Sequence, residues 1–396
     1  MKLPDGWKYI KLSELFDVVS EKNHSDAEVL TIVQGVGTVP RKDSGRDIIY
    51  DRNSLSNYKY VRKDDFIIHL RSFEGGLEIA NQEGIVSPAY VILRPKIQTE
   101  PGYLYTLFHS NRFINQTMAP AVEGVRDGRS VKYEVLKNQN IPFPSLAEQQ
   151  KIAEILSEQD RIISLKQELL DQKQQQKKWL IQELLEISPA DADYAEKLSL
   201  GGVMIDKSGW KKEIIESIFF EVNERNHPNE SVLTIVQGYG TDYRSNVERR
   251  INYDKNNVSS YKAVKKGDFI IHLRSFEGGL EMANQDGIVS PAYIILRLKK
   301  KHINKYLYFL FHSHEFIYRT IAKSVEGIRE GRTVKYESLK KQEIFLPSLP
   351  EQKIIAQVLS TADKEIALLK SSIEQEKQKK KSLAQLLLTG TVRVKT

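Results

Sequence analysis

The residues best suited to chemistry in this sequence are arginines and glutamines that follow short apolar stretches. Arg71 and Arg274 each lie in the segment His-Leu-Arg-Ser-Phe-Glu-Gly-Gly. An arginine can donate two parallel hydrogen bonds to O6 and N7 of guanine, and glutamine can pair with N6 and N7 of adenine. Gln34 and Gln237, each within Ile-Val-Gln-Gly, are the candidates for the second contact. Base recognition is therefore predicted; the alternatives are an arginine–glutamate pair and a glutamine that caps a turn.

A second group of candidates lies in a loop rich in cations and glycines. Residues 123–133 contain three cations, two glycines and a tyrosine, and residues 326–336 are the counterpart. Glycine allows close backbone approach, and arginine, lysine and serine are common ligands of phosphate. The pattern predicts a phosphate-binding loop, and a solvated charged loop is the alternative.

Sequence signatures of catalysis are incomplete. Gly35 and Gly37 begin a dinucleotide-binding fingerprint, but Pro40 occupies the third glycine position. His312 and His314 have the spacing of metal ligands without a cluster of carboxylates around them. The chain has no cysteine, which excludes disulfides and thiolate metal sites. We therefore predict no catalytic residue, no metal site and no cofactor on this chain.

One repeat of 203 residues organises the whole sequence. Trp7 recurs as Trp210, and residues 66–94 differ from residues 269–297 at three positions. Solenoid units are about 20–50 residues long, so this repeat is a duplicated domain. Two like domains on one chain can lie about a pseudo-two-fold axis and imitate a homodimer.

The repeat places the candidate nucleic-acid contacts in matched pairs. In the first copy they are Gln34, His69, Arg71, Ser72, Tyr90, Arg126, Arg129, Ser130 and Lys132. In the second copy they are Gln237, His272, Arg274, Ser275, Tyr293, Arg329, Arg332, Thr333 and Lys335. The net charge of +7 is compatible with a polyanionic partner but is weak support by itself.

Each copy begins with a segment that predicts a mixed α/β globule. Residues 66–70 and 90–93 are apolar and predict buried strands, with turns at 74–76 and 82–84. Residues 103–118 predict a helix. The fold class is therefore α+β, with globules of about 145 residues.

Each copy ends with a segment that predicts a long amphipathic helix. The apolar stripes, near heptad spacing, are Ile152, Ile155, Leu156, Ile162, Leu169, Gln176, Leu180 and Leu184, and then Ile355, Leu359, Ile366, Leu369, Ile373, Leu383 and Leu387. Ser145 with Glu148, and Ser348 with Glu351, predict capping boxes. A helix of this kind, about 58 Å long at 1.5 Å per residue, needs a partner for its apolar stripe. We expect the two helices to pack antiparallel and to separate the globules.

The predicted organisation has five parts. They are a globule at 1–146, a helix at 147–187, a linker at 188–207, a globule at 208–349 and a helix at 350–390. No stretch has the roughly 18 apolar residues that a membrane span requires, and the start of the chain has no apolar signal core. We therefore expect a soluble cytoplasmic protein without membrane contact.

The junction between globule and helix resembles a known family. Residues 140–149, Asn-Ile-Pro-Phe-Pro-Ser-Leu-Ala-Glu-Gln, resemble the passage from a target-recognition domain to the spacer helix in specificity subunits of type I restriction–modification systems, the HsdS family. Residues 346–352 repeat it as Leu-Pro-Ser-Leu-Pro-Glu-Gln. Residues 84–90, Gly-Ile-Val-Ser-Pro-Ala-Tyr, and their copy at 287–293 are similar to a subclass of these domains.

The resemblance implies a non-catalytic subunit that binds double-stranded DNA. In this family each recognition domain binds one half of a split target. The resemblance further implies two modification subunits that carry S-adenosylmethionine and methylate adenine. It also implies restriction and translocase subunits that use ATP and Mg²⁺.

One departure from the family pattern bears on the target. Family members usually carry two dissimilar recognition domains, whereas these two are close copies. Similar domains about a pseudo-two-fold axis predict similar half-sites in inverted order, a near-palindromic bipartite target. The alternatives are the specificity subunit of a combined methylase and nuclease system of the type IIB kind, a stand-alone DNA-binding regulator, and a coiled-coil scaffold.

Overall fold

The computed structural model divides the chain into two compact units. Unit 1 comprises Met1–Glu168 with Ser371–Thr396, and unit 2 comprises Leu169–Lys370. The structure describes residues 3–45, 52–68, 75–124, 130–186, 198–200, 203–247, 255–271, 278–327 and 333–396. Each unit contains one globule and about half of each long helix.

The first copy is built from short strands and three short helices that precede a long one. The strands are Lys8–Lys11 (β1), Phe16–Val19 (β2), Leu30–Val33 (β3), Gly37–Pro40 (β4), Lys59–Val61 (β5), Phe66–Ile68 (β6), Glu78–Ile79 (β7), Gly84–Val86 (β8), Val91–Pro95 (β9), Val122–Glu123 (β10), Ser130–Val131 (β11) and Asn140–Phe143 (β12). The α-helices are Leu12–Leu15 (α1), Pro101–Phe108 (α2), Tyr133–Leu136 (α3) and Leu146–Leu185 (α4).

The second copy repeats this order after a short strand pair. The strands are Leu198–Leu200 (β13), Val203–Ile205 (β14), Lys211–Ile214 (β15), Phe219–Val222 (β16), Leu233–Val236 (β17), Gly240–Tyr243 (β18), Lys262–Val264 (β19), Phe269–Ile271 (β20), Leu280–Met282 (β21), Gly287–Val289 (β22), Ile294–Leu298 (β23), Val325–Glu326 (β24), Thr333–Val334 (β25) and Glu343–Leu346 (β26). The α-helices are Ile215–Ile218 (α5), Asn304–Phe311 (α6), Tyr336–Leu339 (α7) and Leu349–Leu388 (α8).

An antiparallel sheet in the order β2-β9-β6-β7 forms the centre of the first copy. Phe66 of β6 pairs with Leu93 of β9, and Ile67 pairs with Ile92. Because successive side chains of a strand point to opposite faces, the first pair enters one core and the second pair enters another. The sheet β16-β23-β20-β21 has the same order and register in the second copy. The predicted α+β class is confirmed.

The larger core joins one face of the sheet to the helices. The rings of Phe66 and Phe108 meet edge to face with centroids 5.1 Å apart, and Phe16 lies 5.6 Å from Phe66. The first turns of α4 add Ile152 and Leu156 to the same core. The long helix is therefore anchored in the globule from which it starts.

The smaller core lies on the other face of the sheet. There Leu30, Val61 and Val86 pack against Ile67, so the hairpin β3–β4 and the pair β5–β8 cover this face. This core fixes the base of the hairpin whose turn carries Gln34.

The helix predicted at 103–118 is divided into two parts. It begins earlier, at Pro101, and ends at Phe108; a π-helical turn follows at Phe113–Met118. The Ser110 hydroxyl donates to the Leu107 carbonyl at 2.6 Å and accepts from the Phe113 amide at 3.1 Å. Ser110 thus closes one helix and caps the next, a local competition that apolar periodicity does not reveal.

Within each unit the long helices pair antiparallel, as predicted. In unit 1, Lys166 of α4 contacts Glu376 of α8 at 2.8 Å, and Asp160 pairs with Lys380. Residue numbers fall along one helix as they rise along the other. In unit 2 the corresponding ion pairs are Lys173–Glu365 at 2.8 Å and Lys177–Asp363 at 2.5 Å. No helix in the described part of the chain is long and apolar enough to cross a membrane.

The predicted apolar stripe of α4 is wrong in its middle. Leu169 is 41% exposed and Gln176 is exposed, whereas Leu170 is buried. The positions that face the other helix keep heptad spacing, but polar residues occupy some of them, so a stripe assigned from apolar residues alone misses them. Lys173 and Lys177, half-buried in ion pairs, occupy the contact face there.

The predicted capping boxes are each formed in part. The Glu148 amide donates to the Ser145 hydroxyl at 3.3 Å, but the Glu148 carboxylate accepts from the Trp7 indole at 2.9 Å. In the second copy, the Ser348 amide donates to the Glu351 carboxylate at 3.0 Å. Sequence spacing alone does not reveal that the indole competes for the first carboxylate.

The segment predicted as a linker contains an antiparallel strand pair. Leu198 pairs with Ile205 and Leu200 with Val203, which forms β13 and β14. Residues 187–197 and 201–202 lie outside the described residues.

The contact at Glu376 makes the helix pairing sensitive to acid. Hydrogen bonds from Lys166 at 2.8 Å and Gln159 at 2.7 Å lower the pKa of Glu376 from 4.5 to about 2. A carboxyl whose pKa is depressed by folding stabilises the fold above its unfolded pKa, and this contribution is lost as the pH falls through the folded value. The melting temperature of Glu376→Gln should therefore lie furthest below that of the wild type above about pH 5.

This difference should shrink toward zero as the pH falls to about 2. Thermal unfolding at a series of pH values measures it. Glu374→Gln is the matched control, because Glu374 is exposed and pairs with Lys377 on its own helix. A difference in melting temperature between Glu376→Gln and the wild type that stays constant with pH would contradict the lowered pKa of Glu376.

Candidate nucleic-acid interface

Gln34 lies at the exposed tip of the hairpin β3–β4. The turn is closed by a hydrogen bond from the Val36 amide to the Val33 carbonyl at 3.0 Å. Gly37 has a φ of +95°, and a Cβ there would lie 2.5 Å from the Ile79 carbonyl oxygen, so only glycine fits. The alternative role of Gln34 as a turn cap is not observed, because backbone atoms close the turn. The side chain is left at the surface.

The Gln34 side chain lies against Gly75. A Cβ at Gly75 would be 2.7 Å from Cγ and Cδ of Gln34, so the absence of a side chain makes room for the amide. Gln237 lies against Gly278 in the same way, with 2.9 Å to the corresponding atoms. Both glutamines therefore lie against the first glycine of the His-Leu-Arg-Ser-Phe-Glu-Gly-Gly segment.

The other candidates of that segment lie outside the described residues. They are His69, Arg71 and Ser72 in the first copy and His272, Arg274 and Ser275 in the second. Their roles remain predictions, as does the alternative pairing of the arginines with Glu74 or Glu277. Of this segment the structure describes only the two final glycines, and the first of them, Gly75 or Gly278, lies beside a glutamine.

Tyr90 lies on the smaller core and is half-buried. Its backbone carbonyl accepts a hydrogen bond from Lys59 Nζ at 2.5 Å, and the residue packs against the smaller core. Burial raises the pKa of the Tyr90 hydroxyl, and nearby Arg41 opposes that shift. Tyr293 repeats the arrangement with Lys262 at 2.8 Å. Tyr90 and Gln34 therefore share one core, although Tyr90 is mainly a packing residue.

Ser130 and Lys132 lie at a second hairpin, built on the larger core. Val122 pairs with Val131, and Lys132 Nζ lies 4.0 Å from the Glu123 carboxylate with both side chains more than half exposed. Lys335 and Glu326 repeat this pair at 3.8 Å beside Thr333. Exposed pairs of this kind contribute little stability, so the lysines remain available to phosphate.

The tip of this second hairpin lies outside the described residues. The predicted arginines there are Arg126, Arg129, Arg329 and Arg332. They are proposed, not observed, phosphate contacts.

Two buried acidic residues were missed by the sequence analysis. Asp65 is 2% exposed and accepts two hydrogen bonds from Arg94, at 2.9 and 2.8 Å. Glu78 is 4% exposed; it accepts from the Gly35 amide at 2.8 Å and contacts His109 at 3.2 Å. Both recur in the second copy, which is the signal that could have identified them. Within the described residues, no cluster of histidines and carboxylates could hold a metal ion.

Comparison with known families agrees with this duplicated arrangement. The model of the family described as type I restriction modification DNA specificity domain matches residues 4–173 and 207–378. The chain belongs to this family. Members are DNA-recognition subunits without catalytic activity, so sequence-specific DNA recognition is the function of this chain and catalysis lies in other subunits.

Full-length relatives and a solved structure extend the agreement. The putative type I restriction enzyme MjaX specificity subunit of Methanocaldococcus jannaschii is 24% identical and aligns with 100% of this chain and 96% of its own length. The type I restriction enzyme MjaVIII specificity subunit of the same organism is also 24% identical, and the alignment covers 100% of this chain and 95% of that protein. The HsdS subunit of Thermoanaerobacter tengcongensis has a similar fold, with a TM-score of 0.55 at 17% identity and 99% of each chain covered.

The two adjacent glycines before β7 should respond differently to substitution. Gly76 has a φ of +92°, and a Cβ there would lie 3.0 Å from the Phe108 carbonyl carbon, so Gly76→Ala should destabilise the fold by about 2 kcal/mol. In Gly75→Ala the atoms nearest to the new Cβ belong to the exposed Gln34 side chain, which can rotate away, so the loss should be less than about 1 kcal/mol. Urea denaturation followed by circular dichroism measures both, and equal losses would refute the placement of Gln34.

Proposed function

We propose that each recognition domain binds one half of a split DNA target through the hairpin tip that carries Gln34 or Gln237. The observation that carries this proposal is the contact of each glutamine with the first of the two glycines that end the arginine-containing segment. It supports a single recognition surface in which Gln34 and Arg71 contact neighbouring bases. Arg274 and Gln237 have the same roles in the second domain.

Phosphate contacts belong to the second hairpin of each domain. Lys132 and Lys335 are exposed and only loosely paired. Ser130, Thr333 and the arginines at the hairpin tip complete the proposed set. Such contacts set the position of the protein on DNA without reading its sequence.

The catalytic partners are proposed from family membership. They are two modification subunits that use S-adenosylmethionine, and restriction subunits that use ATP and Mg²⁺. The assembly would act on cellular DNA in the cytoplasm. Because the similar curated proteins are type I specificity subunits, the combined type IIB-like system is not favoured. The proposed domain bounds remain 1–146, 147–187, 188–207, 208–349 and 350–390.

The target should consist of two similar half-sites. Residues 66–94 and 269–297 differ at three positions, and both copies place a glutamine against the same glycine. We expect half-sites that share most bases in inverted order, with a nonspecific gap between them. Sequencing of methylated DNA from cells that express this chain with its modification subunits identifies the target. Two unrelated half-sites would overturn this prediction.

Substitutions should separate base contacts from phosphate contacts. Gln34→Ala should relax the base preference at one position of one half-site by about 1–3 kcal/mol. Lys132→Ala should leave base preference intact and reduce the slope of log affinity against log salt by about 1. Binding of the assembled complex to single-base variants of the mapped target, at several salt concentrations, measures both.

Lys151→Ala is the matched control for these variants. Lys151 is an exposed cation on α4 that pairs with Glu154 of the same helix. It should change neither base preference nor salt slope. If Gln34→Ala leaves the base preference of the complex unchanged, Gln34 does not contact a base.

A further inference from the structure

A buried carboxylate holds the tip of each recognition hairpin. Glu78 Oε1 accepts a hydrogen bond from the Gly35 amide at 2.8 Å, directly next to Gln34. In the second copy, Glu281 Oε1 accepts from Gly238 at 2.6 Å, next to Gln237. Both carboxylates are about 95% buried. The residue that follows each glutamine is therefore held by a buried carboxylate.

A histidine connects this carboxylate to the helix α2. His109 Nε2 lies 3.2 Å from Glu78 Oε1, and His109 Nδ1 lies 2.8 Å from the Tyr105 carbonyl. A carbonyl only accepts, so Nδ1 donates that hydrogen bond and Nε2 is the ring atom that faces the carboxylate. The Tyr105 ring lies against the imidazole, with ring centroids 4.1 Å apart and the planes tilted by 39°. The histidine is thus fixed from three sides.

The second copy adds one more connection. His312 contacts Glu281 at 3.2 Å and the Tyr308 carbonyl at 2.7 Å. The Tyr308 hydroxyl also donates to the Gly238 carbonyl at 2.8 Å, so both backbone groups of Gly238 are held. Equivalent histidine and glutamate side chains therefore make the same contacts in both copies.

A second polar clamp holds the other side of the turn. The Asn81 side-chain amide donates to the Val36 carbonyl at 2.8 Å, and the Asn81 backbone amide donates to the Thr38 hydroxyl at 2.9 Å. Asn284 repeats both contacts with Tyr239 and Thr241. The hairpin tip is therefore held by polar groups on both sides.

Stability alone does not account for the buried glutamate. Asp65, in the same domain, uses both oxygens on Arg94 and on the Arg62 amide. Glu78 Oε2 is buried, and no group in the described part of the chain donates to it. A buried oxygen without a donor costs stability. The carboxylate is retained where it orients the recognition tip.

We propose that Glu78 and His109, with Glu281 and His312, are positioning residues that determine base specificity by fixing the orientation of Gln34 and Gln237. The proposal rests on the proposed contact of these glutamines with bases. Each glutamate–histidine pair lies in its own recognition domain. Removal of one pair therefore alters base specificity at one half-site and leaves the other unchanged.

The test uses the assembled complex and all single-base variants of the mapped target. Glu78→Ala should reduce discrimination at the base pair affected by Gln34→Ala by about 10-fold, with the other half-site unchanged. Glu281→Ala should cause the same loss of base discrimination in the other half-site and leave the first half-site unchanged. Glu78→Gln keeps an acceptor for the Gly35 amide and should restore most of the discrimination.

Asp65→Asn is the structural control, because it weakens a buried ion pair of the same domain away from the hairpin tip. It should lower the melting temperature without changing base preference. A uniform loss of affinity in Glu78→Ala, equal at all base pairs and like that of Asp65→Asn, would overturn the proposal. If Glu78→Ala does not fold, Asn81→Ala supplies the test, since it releases the Val36 carbonyl without leaving a buried charge.

The outcomes also separate this proposal from the proposed function. If Gln34→Ala changes a base preference and neither Glu78→Ala nor Asn81→Ala does, the positioning role is refuted and base contact by Gln34 stands. If none of the three changes it, base recognition by Gln34 fails, and the positioning role fails with it.

Discussion

Burial of the central sheet on both faces is the constraint on which each domain depends. Phe66 and Leu93 fill the core that holds the helices, while Ile67 and Ile92 fill the core under the hairpin. A strand buried on both sides cannot slip by one residue without exchanging the two cores. The helix α2 and the hairpin β3–β4 are thereby fixed on opposite sides of one rigid layer. The contact of His109 with Glu78 connects them.

Local patterns predicted much of the fold, whereas contacts distant in sequence did not follow from them. The long helices and the strand at 66–68 were predictable, since their signals lie in consecutive residues. The contact of Glu78 with His109 spans 31 positions, and that of Asp65 with Arg94 spans 29. Such pairs depend on strand order, which the sequence pattern did not reveal. The base contacts remain predicted from residue type alone.

The duplicated copies use equivalent residues differently where they meet the long helices. Glu148 accepts from Trp7 and from Arg393, the latter at 2.6 and 3.0 Å. Glu351 instead accepts from the Ser348 amide at the start of its helix. The two copies therefore share the contacts of the hairpin tip and differ in the contacts at the start of the long helices.

The composition of the two units has a consequence for synthesis of the protein. Unit 2 is one continuous segment, Leu169–Lys370, whereas unit 1 joins Met1–Glu168 to Ser371–Thr396. Synthesis reaches the end of unit 2 before the second segment of unit 1 is made. Until then Glu148 lacks Arg393, and the apolar residues Leu387 and Leu388 are missing from the first core. The unit whose synthesis begins first is therefore the last to receive all of its residues.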